Sequence, residues 1–89
     1  MKAVITVIGE DKVGIIAGVS KILAECGVNI QDITQTTMRD MFTMLMLVDL
    51  SGTEVPFAEI AERLNELGTL MGLTIRIQHQ DIFEAMHKI

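Results

Sequence analysis

The sequence reads as an α+β domain, a four-stranded antiparallel sheet with two helices on one face. Three observations lead there. Residues 3–8, Ala-Val-Ile-Thr-Val-Ile, are mostly apolar and β-branched, as a buried strand is. Ile15, Ile16, Val19, Ile22, Leu23 and Cys26 then recur at helical spacing. Later, Leu73, Ile75 and Ile77 alternate with Thr74, Arg76 and Gln78, the period of a strand with one buried face.

The first strand covers about residues 2–8. Ala3, Ile5 and Val7 share one face, and Val4, Thr6 and Ile8 the other. Two largely apolar faces suit a central strand. The turn Gly-Glu-Asp-Lys-Val-Gly (9–14) leads into a helix over about 13–26. Gly18 inside that helix costs about 1 kcal/mol relative to alanine, which a close helix–sheet contact would explain. Gly27 is placed to end it.

The second strand starts at Val28, Asn29 and Ile30. Val28 and Ile30 share a face but Ile33 is out of phase, so a bulge near Gln31 and Asp32 is expected. Residues 34–38 are polar on one side, as an edge strand is. Arg39 and Asp40 make a tight turn. The third strand, residues 41–50, sets Phe42, Met44, Met46, Val48 and Leu50 on one face. Thr43, Leu45 and Leu47 lie on the other, and both faces look buried.

Pro56 suits the first turn of a second helix, where its missing N–H costs nothing. Phe57, Ile60, Ala61, Leu64, Leu67 and Met71 form its apolar stripe. Glu59, Glu62, Arg63 and Glu66 form its wet face, and Gly68 or Gly72 stops it, with an end near Met71 expected. The fourth strand spans residues 73–80. Asp81 and Glu84 have the spacing of a capping box, so a short C-terminal helix carrying Ile82, Phe83 and Met86 should follow. The order βαββαβ is the ferredoxin-like pattern, with strands in the order 4-1-3-2. Such a fold hosts many functions, so function has to be argued from a site.

Composition narrows the classes. The 89 residues make one domain, residues 1–89, able to bury roughly 60–65% of its unfolded surface. Hydrophobic residues are 49% of the chain, yet no run approaches the ~18 apolar residues of a membrane span. A subunit interface is the simplest home for the surplus, so a homodimer is expected. Met1 and Lys2 leading straight into strand leave no room for a signal peptide. A single cysteine excludes an internal disulfide and a cysteine-based zinc site. A cytoplasmic location is expected on both grounds. A net charge of −5 opposes nucleic-acid binding, which depends on cationic side chains at phosphates. With no Trp or Tyr and three Phe, base-stacking platforms are scarce too.

The candidate chemistries thin out in turn. Gly9 and Gly14 have the spacing of a phosphate loop, but Ile15 and Ile16 stand where Lys and Ser or Thr belong. A copper chaperone of this topology carries C-x-x-C in the first turn, and here there is none. Met38, Met41, Met44 and Met46 offer soft ligands, but Met44 and Met46 share a face with Phe42 and Val48, as core residues do. No metal and no cofactor is expected. His79 and His87 come late, with no nucleophile at a known spacing, so no catalytic residue is assigned.

The turn remains, together with Asn29. Free N–H groups at residues 13–16 suit a small carboxylate at the start of a helix. The Asp11 side chain can accept from an ammonium, and Asn29 can both donate and accept. The plainer reading makes Asp11 the N-cap of the helix and Asn29 a strand-end residue.

Residues 8–15, Ile-Gly-Glu-Asp-Lys-Val-Gly-Ile, and residues 23–30, Leu-Ala-Glu-Cys-Gly-Val-Asn-Ile, resemble an ACT domain, over essentially residues 2–79. The chain is similar to small free-standing single-ACT-domain proteins of uncharacterised function. It is also similar to the ACT modules of the glycine cleavage system transcriptional repressor and of formyltetrahydrofolate deformylase. The resemblance implies a non-enzymatic regulatory module that dimerises and binds an amino acid at the subunit interface. By position it implies Asp11, Gly14 and Ile15 from one copy, and Asn29 and Ile30 from the other; Val13 joins them through the free N–H groups of the turn. Gly9 stands where serine-binding members have histidine, and Val13 where many have proline. With no catalytic domain attached, any regulated enzyme is a separate protein. The alternative is a ligand-free interaction module whose dimer face, or residues 81–89, docks another protein.

Overall fold

A computed structural model describes residues 1–87. Seven elements follow in order: β1 (Lys2–Glu10), α1 (Ile15–Glu25), β2 (Asn29–Met38), β3 (Met41–Asp49), α2 (Phe57–Met71), β4 (Leu73–His79) and α3 (Gln80–Met86). The strands form one sheet in the order β2-β3-β1-β4 with every neighbouring pair antiparallel, as the sequence predicts. Lys88 and Ile89, which end the segment offered as a docking tail, lie outside the described residues.

The core sits between the sheet and the pair α1 and α2. Ala3, Ile5 and Val7 of β1 and Phe42, Met44, Met46 and Val48 of β3 face it. They meet Ile15, Val19 and Leu23 of α1 and Ile60 and Leu64 of α2. The buried methionines are therefore core, and among the described residues no cluster of His, Cys, Asp or Glu is arranged to hold a metal. The bulge falls between Ile30 and Asp32, which returns Ile33 to the rung of Met46. Gly72 ends α2 in the left-handed region, φ 69°, with its N–H on the Gly68 carbonyl.

Three expectations are corrected. The Cβ missing at Gly18 makes room for Leu67 of α2, 3.2 Å from where it would stand, so that glycine serves helix–helix packing rather than a helix–sheet contact. The close approach to the sheet is at Gly68, where a Cβ would lie 2.6 Å from the Leu73 carbonyl. In addition, the N-cap of α3 is His79, two residues before Asp81, and no side chain caps it, so Asp81 lies inside its first turn. The third correction concerns the sheet's second face, which no layer of α1 or α2 covers. Ile8 and Leu45 there are 40% and 38% exposed.

Candidate functional site

The β1–α1 turn is held from two sides. Its Asp11 N–H donates to the Asp40 carbonyl in the β2–β3 turn, 2.7 Å away. Its Lys12 ammonium donates to the Met71 carbonyl at the C-terminal end of α2, where a cation is favoured by the helix dipole. The sequence names Lys12 only as part of the turn. Its partner lies 59 residues away, and no local pattern announces it.

The turn ends at Gly14, whose φ of 95° only glycine adopts at little cost. A Cβ there would meet nothing within 4 Å, so the space before it is open. Gly14, not Asp11, is the N-cap of α1, and no side chain caps that helix. Its carbonyl accepts from Gly18 N–H at 2.9 Å, while the first N–H groups of a helix have no acceptor inside it. The helix therefore starts at Ile15 rather than Val13. Val13 is 99% exposed, whereas Ile15 is buried in the core.

Gly9 is crowded where Gly14 is free. A Cβ at Gly9 would lie 2.5 Å from Leu73 Cδ2 and 3.2 Å from both Leu73 Cα and the Gly72 carbonyl oxygen. A side chain at position 9 would therefore press on the backbone of β4.

Asn29 opens β2 opposite Asp49, and Ile30 beside it stands opposite Val48, half-buried against the core. Asp49 accepts from the Ser51 hydroxyl and amide at 2.6 and 2.9 Å. These bonds, the hydroxyl's first, hold its carboxyl below the usual aspartate range. The side chains of Asp11 and Asn29 are both exposed, and neither has a hydrogen-bond partner among the described residues.

The two residues are far apart within one copy. Asn29 shares a rung with Asp49 and Lys2, whereas Glu10, next to Asp11, shares one with Met41 and Met38. The nine residues of β1 separate these rungs, roughly 27 Å at a strand's rise per residue. Between the rungs runs β2, a sheet edge whose residues 31–38 are all exposed.

Elsewhere, His79 stacks on Phe57 with ring centroids 4.3 Å apart, and His87 stacks on Phe83 at 4.1 Å. Arg63, read as part of a wet face, is half-buried and donates to Glu25 Oε1 at 2.6 Å and to the buried Cys26 Sγ at 3.1 Å.

The ACT domain family model matches residues 2–78. The chain belongs to the ACT domain family. The UPF0237 protein of Clostridium acetobutylicum is 55% identical over 89 residues, 100% of both chains. An ACT domain protein from Streptococcus pneumoniae superposes with a TM-score of 0.80 at 45% identity, over 98% of each chain. A protein described as a glycine cleavage system transcriptional repressor superposes at 0.75 and 27% identity, over 89% of this ACT domain chain and 45% of its own. ACT domains are typically regulatory modules that bind small ligands, and the resemblance read from residues 8–15 and 23–30 stands.

Proposed function

We propose that two copies of this ACT domain pair along β2 and bind a small ligand, an amino acid, at each end of the shared edge. One observation carries the reading: Asp11 and Asn29 are both exposed and unpaired among the described residues, yet lie at opposite ends of one copy's sheet. An edge strand left open is a template for pairing. If β2 meets its twin antiparallel about a two-fold axis, Asn29 of one copy comes beside Met38 of the other. Met38 is two residues from Asp40, whose carbonyl holds the Asp11 N–H. Two equivalent sites result, each with one copy's turn and the other copy's strand start.

The chemistry suits an α-amino acid. The uncapped start of α1 at Gly14, Ile15 and the exposed Val13 takes the carboxylate. The Asp11 carboxylate accepts from the ammonium, and Asn29, backed by Ile30, bonds to either group. Hydrogen bonds to charged groups contribute about 1.5–3 kcal/mol each. Three of them are compatible with about −8 kcal/mol, a micromolar dissociation constant, once ordering costs are met by apolar contact. The module has no catalytic role of its own in this reading. It acts in the cytoplasm on a separate protein that reads its liganded state.

The alternative, a ligand-free module that docks another protein, would leave Asp11 and Asn29 satisfied by their own backbone. Neither has such a partner among the described residues. A thermal-shift series of the twenty amino acids tests the choice. A ligand at 100 times its Kd adds about 2.7 kcal/mol of stability, roughly 10 °C or more for a domain of this size. A selective shift supports the sensor. No shift with any of them returns the weight to protein docking.

A further inference from the structure

Met86 and His87, at the C-terminal end of α3, close a cavity of about 290 Å³ against the sheet face that α1 and α2 leave open. Its floor comes from every second residue of two paired strands, Thr6 and Ile8 of β1 with Thr74, Arg76 and Gln78 of β4. Thr6 shares a rung with Arg76, and Ile8 shares one with Thr74. Such cross-strand neighbours have Cβ atoms about 4.5–5.5 Å apart, so their side chains crowd one spot. Gln78 Nε2 lies 3.3 Å from Met86 Sδ, which ties the end of α3 to the floor. The His87 ring is held as well: it stacks on Phe83, and its Nδ1 donates to the Phe83 carbonyl at 2.8 Å. The family match ends at residue 78, so both residues that close the cavity come from beyond it.

The polar groups gathered here are mostly donors without partners. Arg76 has no ion pair or hydrogen bond among the described residues, whereas Arg63 is held by Glu25 at 2.6 Å. The Thr6 and Thr74 hydroxyls have no partner among the described residues either, while those of Thr37, Thr53 and Thr69 each bond a nearby group. No aspartate or glutamate among the described residues lines the cavity, and Glu84 of α3 accepts instead from Gln80 Nε2 at 3.2 Å. A guanidinium presents a planar fork that matches the two oxygens of a carboxylate. A single cation balances a single negative charge. Ile8 and Met86 supply apolar surface beside it. An ammonium group in the same space would meet Arg76 and find no acidic counter-charge.

We propose that this cavity binds a small monocarboxylate that lacks an α-ammonium group. The Arg76 guanidinium takes the carboxylate, and the Thr6 and Thr74 hydroxyls donate to its oxygens. The short hydrocarbon body lies against Ile8 and is covered by Met86. The volume is at the small end of ligand cavities and suits an acid of a few carbons. The site lies within one copy and is separate from the turn that carries Asp11 and from Asn29. It selects against amino acids, for want of an acid to hold the ammonium, and takes their 2-oxo counterparts of the same carbon skeleton. The inference does not depend on the turn binding anything.

NMR titration of the isotope-labelled full chain with 4-methyl-2-oxopentanoate, leucine and acetate tests this, with circular dichroism to confirm that each variant folds. The oxo acid is expected to move the amide signals of Thr6, Thr74, Arg76 and Gln78 and the Met86 methyl together, saturably, with a Kd below about 1 mM. Leucine is expected to bind about ten-fold or more weakly at these signals, whatever it does at residues 11–15 and 29–30, so the two sites are read separately. Arg76→Gln should weaken the oxo acid about ten-fold or more, and Arg76→Lys, which keeps the charge but not the fork, should fall between. Met86→Ala should remove the preference for the oxo acid over acetate. The absence of saturable shifts at these residues overturns the proposal. So does binding that Arg76→Gln leaves unchanged, leucine that binds there as tightly as the oxo acid, or a preference over acetate that survives Met86→Ala.

Discussion

The Lys12 ammonium and the Met71 carbonyl join the β1–α1 turn to the end of α2. The contact is a cation on the negative end of a helix dipole, in solvent. Lys12→Ala should therefore cost only about 0.3–1 kcal/mol, read as a lower urea midpoint with an unchanged slope. Added salt should shrink the difference between variant and wild type, because an exposed charge is screened. The larger effect is expected on ligand affinity, since Lys12 fixes the turn that carries Asp11. Equal affinity in the variant would remove that role.

Two glycines of the same turn should fail for different reasons. At Gly9 a methyl meets Leu73 Cδ2 at 2.5 Å and backbone atoms of Leu73 and Gly72 at 3.2 Å. The leucine methyl can move but the backbone of β4 cannot, so Gly9→Ala should cost about 1–3 kcal/mol by overpacking. At Gly14 there is room for the methyl, but φ is +95°. Gly14→Ala should cost about 1–2 kcal/mol through backbone strain alone. Chemical synthesis of the chain with D-alanine at position 14 separates the two effects. The D-residue accepts positive φ and should restore stability to wild type or above. A D-alanine variant as unstable as the L-form would show that strain is not the cause.

The outline of the fold was legible because each signal was local. The phase slip at Ile33 announced the bulge between Ile30 and Asp32, and the alternation from Phe42 to Val48 marked the core face of β3. What stayed hidden depends on which element lies opposite. Gly18 asked for a close neighbour, but only the crossing of α1 and α2 makes that neighbour Leu67. Arg63 sits in a run of glutamates on α2, and nothing local says that its guanidinium turns back to Glu25 and Cys26. Leu45 and Val4 are apolar whether a helix, a second copy or water covers them. The residues of the candidate site were readable, but not their separation. Asp11 and Asn29 are 18 positions apart in sequence, and only the sheet order puts them at opposite ends.

Asp49 should titrate below an ordinary aspartate. The Ser51 hydroxyl and then its amide bond the carboxylate, and both favour the charged form. The folded pKa thus lies below the unfolded one. The stability this gives is present above the unfolded value and is lost as pH falls through the folded value. Carbon-detected NMR of the Asp49 carboxyl reads the midpoint directly. Ser51→Ala removes the hydroxyl bond and should move the midpoint up toward the usual range. A midpoint that Ser51→Ala leaves in place would remove the hydroxyl as the main cause.

The composite site makes its own genetic test. Asn29→Ala should weaken an identified amino-acid ligand about ten-fold or more while leaving the assembly intact, since one bond to a charged group is lost. Asp11→Ala should do the same. If each site joins Asp11 of one copy to Asn29 of the other, a mixed dimer of the two variants keeps one site whole and carries both lesions in the second. Mixing and reannealing two inactive proteins should then recover ligand binding at wild-type affinity. The stoichiometry should be one ligand per mixed dimer, half the wild-type value. Calorimetry on the purified mixed species measures both numbers. A site built within one copy gives no recovery, because every copy then carries a lesion in its own site. No recovery from two variants that each fail alone would therefore exclude the shared edge, whatever the ligand.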